Sequence, residues 1–310
     1  MMYNMDKLFE AVTARGHVCV GMDTAAEYIP PAERRRAVTD AEAVLAFNKA
    51  LIDAAAGTAA CFKVQIAYYE ELGLAGLKVY AKTLKYIRER GSLVIADIKR
   101  GDIADTALRY AKSHFDGDFE ADFVTLSPYM GMDSIEPWLS YADTKGKGAF
   151  VLMRTSNKGM RDFEYLELNE NTINSSGSKS PFRLYDAVGD KLSQLAEAHK
   201  GKYGYGAFGA VVGCTERDEA AAIRAKRDNL FFLIPGYGAQ GGAADDAALL
   251  LRDGNGGVVN ASRSILKAWT SAAEKEGKAT EKIDNAYAAE AARLAAIEMR
   301  DAIRSAVKCL

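Results

Sequence analysis

VIADIKRGDIADTA, residues 94–107, decides how the chain is read, because an apolar, β-branched run ends abruptly in the charges of Asp97, Lys99 and Asp102. The run 92–98 has the continuous hydrophobicity of a strand buried on both faces of a parallel sheet. Side chains alternate across a strand, so Asp97 and Lys99 share one side. Gly101 breaks the strand, and Asp102 stands where a helix opening near Ile103 takes an N-cap or first-turn carboxylate. A salt bridge plus a cap explains any one of these residues. The set is harder to explain, since two carboxylates and an ammonium at one buried strand end carry a desolvation cost that structure alone seldom requires.

Outward from this stretch, short apolar runs alternate with helical patterns. HVCVGMD (17–23), CFKVQIAY (61–68), DFVTLSP (122–128), GAFVLMRTS (148–156), GAFGAVVGCT (206–215), NLFFLIPG (229–236) and GGVVNAS (256–262) read as seven further strands. Helical patterns cover 6–15, 39–56, 73–90, 103–114, 133–141, 182–200 and 281–307. Eight strands alternating with helices, in a chain of 310 residues, predict an α/β fold: a (β/α)8 TIM barrel forming a single domain over residues 1–310. The polar stretch NENTINSSGSKS lies within an expected inserted loop at about 160–180. An open doubly wound sheet is the alternative. Only the barrel requires groups from several strand ends to converge on one mouth. The candidates fit that requirement: Asp23 ends the first strand, Lys63 lies in the second, Asp97 and Lys99 end the third, Ser156 ends the fifth and Arg263 follows the eighth. Lys63 lies inside an apolar run, where an unpaired ammonium is expensive.

A binding handle follows the last two strands. IPGYGAQGG, 234–242, supplies four glycines and Gln240, and SRSI, 262–265, opens a helix with Arg263. Backbone N–H groups at a helix start, together with an arginine, suit a phosphate at this place in a barrel.

Composition narrows the classes. A net charge of −2, with 49% hydrophobic and 26% charged residues, is ordinary for a globular enzyme and gives no reason to expect nucleic acid or an anionic membrane as partner. No run of 18 apolar residues exists, and MMYNMDKLFEAV has no signal-peptide core, so a cytoplasmic protein is expected. Cys19, Cys61, Cys214 and Cys309 show no CxxC spacing, so reduced cysteines are expected, three of them buried, with neither disulfides nor a zinc site. His17, His114 and His199 are isolated, read as surface positions and carry no assigned chemistry.

DIKRGDIADT, with Lys63 upstream and PGYGAQGG and SRSI downstream, resembles the orotidine 5′-monophosphate decarboxylase family from Asp23 to Ile265. FKVQIAYYE and RTSN resemble its larger bacterial branch, although Lys158 stands where that branch has proline, a difference that bears on loop shape. The resemblance implies conversion of orotidine 5′-monophosphate to uridine 5′-monophosphate and carbon dioxide, the last step of pyrimidine nucleotide synthesis, with no cofactor and no metal. It implies that Lys99 protonates C6 of the pyrimidine, that Asp97 lies beside the substrate carboxylate, and that Lys63 completes the charged array. Asp23 would contact a ribose hydroxyl and Ser156 the pyrimidine amide edge. Gln240 and Arg263 would grip the phosphate, while Pro235 and Tyr237 shape the loop that closes over it. The family's homodimer would bring Asp102, with Ile103 and Thr106, across the subunit interface. Three rivals remain: a magnesium-dependent enediolate enzyme with a similar Asp-x-Lys-x-x-Asp strand end, a Schiff-base aldolase, and a silent nucleotide-phosphate sensor. Flanking carboxylates disfavour a neutral nucleophilic lysine, and the intact charged array argues against a sensor.

Overall fold

Each apolar run forms a parallel strand in the computed structural model, which describes residues 2–168, 182–238 and 241–309. The strands are β1 (Val18–Gly21), β2 (Cys61–Gln65), β3 (Leu93–Arg100), β4 (Phe123–Leu126), β5 (Gly148–Arg154), β6 (Phe208–Val212), β7 (Phe232–Ile234) and β8 (Gly257–Ala261). They pair in sequence order, and β8 returns to β1. The architecture is the closed (β/α)8 barrel, and the open sheet is excluded.

Strand alternation explains why the runs are apolar throughout. Cys19, Cys61, Ile95, Phe123, Phe150, Leu233 and Val258 point into the barrel and form one buried cluster. Their neighbours Val20, Phe62, Val94, Val124 and Val151 face the surrounding helices in a second, larger core. With both faces buried, neither can be polar. The opening helix, Asn4–Arg15, packs Met5, Leu8 and Val12 into the inner cluster, and Asn4 bonds the carbonyl of Asp122 just ahead of β4. That helix closes the N-terminal end, leaving the C-terminal strand ends open. Cys19, Cys61 and Cys214 are buried and free, as expected, and Cys309 is exposed.

Several boundaries differ from expectation. β3 runs two residues further, to Arg100, with a register shift against β4 between Ala96 and Arg100. The next helix is Ala104–Phe115, so Ile103 rather than Asp102 occupies its N-cap. Asp102 instead accepts a hydrogen bond from the Ile103 amide at 2.9 Å. In place of a helix over 133–141 there are 3-10 turns at Met132–Ser134 and Glu136–Trp138, then a helix at Leu139–Lys145. Pro137 lacks an N–H to extend a longer helix, and buried Trp138 anchors the turn. Of the expected insertion at 160–180, residues 169–180 lie outside the described residues. Among the described residues, no helix is long and apolar enough to cross a membrane.

The histidine expectation needs correcting, because His17 and His114 are buried. An isolated histidine gives no periodic signal of which way it faces. His114 stacks on Phe119, and burial, then the charge of Arg100, pushes its pKa down to about 4. The unfolded chain therefore binds the extra proton between about pH 6.5 and 4, and stability falls as pH drops through that window. The full effect is on the order of 3 kcal/mol. His114→Phe is expected to lose less urea stability than the parent between pH 7 and 4.5; equal losses would refute this.

Candidate active site

At the C-terminal ends of β1, β2 and β3 the inward positions turn from apolar to charged, two to four residues beyond the buried layer. Asp23 stands four residues after Cys19, Lys63 two after Cys61, and Asp97 two after Ile95. These side chains line a cavity of about 540 Å³ together with Lys99, Ser156, Pro235, Tyr237 and Arg263. Eight of the expected site residues thus meet at one cavity, and Gln240 lies outside the described residues.

The charges form an alternating chain. Lys63 Nζ donates to Asp23 Oδ1 at 3.0 Å and to Asp97 Oδ2 at 2.9 Å. Lys99 Nζ donates to Asp97 Oδ1 at 2.7 Å. Burial alone would raise the Asp97 pKa, but Lys63 and then Lys99 outweigh it and hold the carboxyl well below the usual range. Burial likewise opposes the charge on Lys63, and Asp23 and then Asp97 overcome it, raising its pKa. Lys63 is thus locked between two carboxylates and unsuited to act as a nucleophile. The Lys63 and Asp97 side chains are each 7% exposed, whereas that of Lys99 is 49% exposed. Lys99 is the most exposed member of the array, and all four line the cavity.

Two further hydroxyls at the cavity wall, neither among the expected site residues, hold the array. Thr125 Oγ1 donates to Asp97 Oδ1 at 2.8 Å, and Ser262 Oγ donates to Asp23 Oδ2 at 2.8 Å. Ser262 lies so close to β1 that a Cβ at Gly21 would fall 1.9 Å from its hydroxyl oxygen, and only glycine fits there. Asn260, Gln65 and Tyr68 also line the cavity. Strand parity was the available signal: Thr125 is two residues from inward Phe123, and Asn260 two from inward Val258.

Arg263 opens a short helix, Arg263–Leu266, at the mouth. The loop after β7 turns through Gly236 at φ +101° and Gly238 at φ +68°, values that favour glycine. On the β5 side, Glu164 accepts from the Thr155 amide at 2.8 Å and the Thr155 hydroxyl at 2.7 Å, tethering the segment that carries Ser156. Asp102, Ile103 and Thr106 do not line this cavity. Ile103 and Thr106 are exposed, and Asp102 forms no ion pair among the described residues.

Comparison with known proteins places nearly the whole chain among relatives of one family. The family model described as "Orotidine 5'-phosphate decarboxylase / HUMPS family" matches residues 16–277. The chain is 55% identical over 302 residues to an orotidine 5′-phosphate decarboxylase of Clostridium perfringens, covering 97% of this chain and 98% of that one. It is 49% identical over 303 residues to one from Clostridium tetani, covering 98% of each. Among solved structures, Leishmania donovani OMP decarboxylase superposes with a TM-score of 0.73 at 31% identity, covering 99% of this chain and 100% of that one. On this evidence the chain belongs to the orotidine 5′-phosphate decarboxylase / HUMPS family.

Proposed function

We propose that the chain decarboxylates orotidine 5′-monophosphate to uridine 5′-monophosphate, completing pyrimidine nucleotide synthesis in the cytoplasm without a cofactor. The observation that carries this reading is one carboxylate, Asp97, shared by a buried and an exposed ammonium at the floor of a cavity with Arg263 at its rim. The C6–carboxylate bond breaks, carbon dioxide leaves, and the electron pair stays on C6 in the ring plane. The Lys99 ammonium delivers its proton to that carbon, forming the C–H bond, and regains a proton from solvent. Asp97 lies against the departing carboxylate and holds Lys99 in place. Lys63 and Asp23 fix Asp97, and Asp23 also meets a ribose hydroxyl. Ser156 addresses the amide edge of the pyrimidine. Arg263, with Gln240, Pro235 and Tyr237, takes the phosphate end.

A homodimer completes the reading, with Asp102, Ile103 and Thr106 of one subunit reaching the cavity of the other. Their position outside their own cavity and the exposure of Ile103 and Thr106 support that role. The test is the loss of orotidine 5′-monophosphate absorbance with purified protein in excess EDTA. Turnover is expected to persist. Absent turnover, with activity on a sugar phosphate returning only on added magnesium, would overturn the reading in favour of enediolate chemistry.

A further inference from the structure

Lys99 has a backbone φ of +44°, in the left-handed region that non-glycine residues seldom occupy. It does so where the β3–β4 ladder is interrupted, between Ala96 and Arg100. In that gap the amides of Ile98 and Lys99 both donate to the Thr125 hydroxyl oxygen, at 3.0 and 2.9 Å. The same hydroxyl donates its proton to Asp97 Oδ1. A threonine hydroxyl has one proton and two lone pairs to offer, and here all three are used. Thr125 is 1% exposed, so water cannot readily replace any of these bonds.

One oxygen atom therefore fixes two things at once: the strained backbone from which Lys99 projects, and the carboxylate that orients its ammonium. Strain at such a residue persists only where the surroundings over-determine it, and Thr125 supplies that constraint from the neighbouring strand. We propose that Thr125 is a positioning residue for the decarboxylation, presenting the Lys99 ammonium to C6 by pinning its main chain and Asp97 as one unit. This inference rests on the function proposed above.

Thr125→Val keeps the shape and removes the hydroxyl, and Thr125→Ser restores it. In the full-length enzyme, Thr125→Val is expected to lower kcat roughly 10- to 100-fold with KM nearly unchanged, and Thr125→Ser to recover most of the loss. Hydrogen exchange at the Ile98 and Lys99 amides is expected to quicken at least about tenfold in the valine variant and to stay slow in the serine variant. A wild-type kcat in Thr125→Val, or a loss confined to KM, would overturn the inference. If the valine variant does not fold, Thr125→Cys takes its place, with a smaller loss of kcat expected and a wild-type kcat again overturning it. If the unaltered protein fails to turn over orotidine 5′-monophosphate, the proposed function falls. The exchange rates then decide alone, and equal rates in the serine and valine variants would remove the pin.

Discussion

Replacing Lys99 with alanine is expected to lower turnover of orotidine 5′-monophosphate by about 10⁵-fold or more, with the fold intact. Two losses combine. An ammonium about 4 Å from a developing carbanion contributes about 4 kcal/mol at an effective dielectric near 20, close to three orders of magnitude in rate. Loss of a positioned proton donor removes roughly 10²–10⁴-fold more. The reaction leaves its electron pair in the ring plane, with no cofactor to accept it, so the required assistance lies towards the top of the roughly 8–23 kcal/mol range for enzymes. Lys99 alone cannot supply that, and preorganisation of Lys63, Asp97 and Asp23 around it is the other contribution the site makes visible. Steady-state kinetics at saturating substrate checks the effect, and a Lys99→Ala variant within tenfold of the parent would refute the assignment. Mixing this variant with Asp102→Ala is expected to restore about a quarter of the parental rate, as random re-pairing in a two-fold dimer creates some intact sites. No restoration would argue against Asp102 acting across an interface.

Arg263→Ala is expected to lower kcat/KM for orotidine 5′-monophosphate by about 10³-fold, although Arg263 belongs to the strand end after β8 and the reacting carbon to that of β3. In the proposed complex the guanidinium would make charge-assisted bonds to the phosphate, again about 4 kcal/mol at 4 Å and moderate screening. In a reaction this demanding, energy from a remote group is realised in the transition state. Orotidine without its phosphate supplies the control, because the variant and the parent should process it equally. Arg263→Lys should recover only part of the loss, since lysine lacks the planar fork. A near-normal kcat/KM in the alanine variant would show that the phosphate is gripped elsewhere.

Lys63, Asp97 and Lys99 are legible in the sequence because, although a salt bridge accounts for any one of them, several charges at the ends of buried strands are costly as a set. The barrel was legible because eight buried runs alternate with helical patterns, and Arg263 because it follows the last of them. The roles of Thr125 and Ser262 toward the charged array carry no comparable signal. Threonine is an ordinary strand residue and serine an ordinary helix opener, so neither type stands out. Their importance arises from register between strands distant in sequence: Thr125 meets Asp97 across the β3–β4 gap, and Ser262 meets Asp23 across the β8–β1 closure. The extension of β3 to Arg100 is equally a product of pairing with β4, which no local pattern around Gly101 encodes.

The sharing of Asp97 between two lysines has a consequence for how such a sequence can diverge. Asp23, Lys63, Asp97 and Lys99 sum to zero charge, and three of the four are linked through Lys63. Removing one partner of a buried ion pair costs roughly 3–5 kcal/mol, a large part of a typical domain's stability. A single substitution of Lys63 or Asp97, the buried pair of the quartet, therefore carries that cost, and change at either position is tolerated best when its partner changes with it. Ser156, Tyr237 and Arg263 lie outside this buried pair, so substitutions at the rim carry no comparable electrostatic cost to the floor.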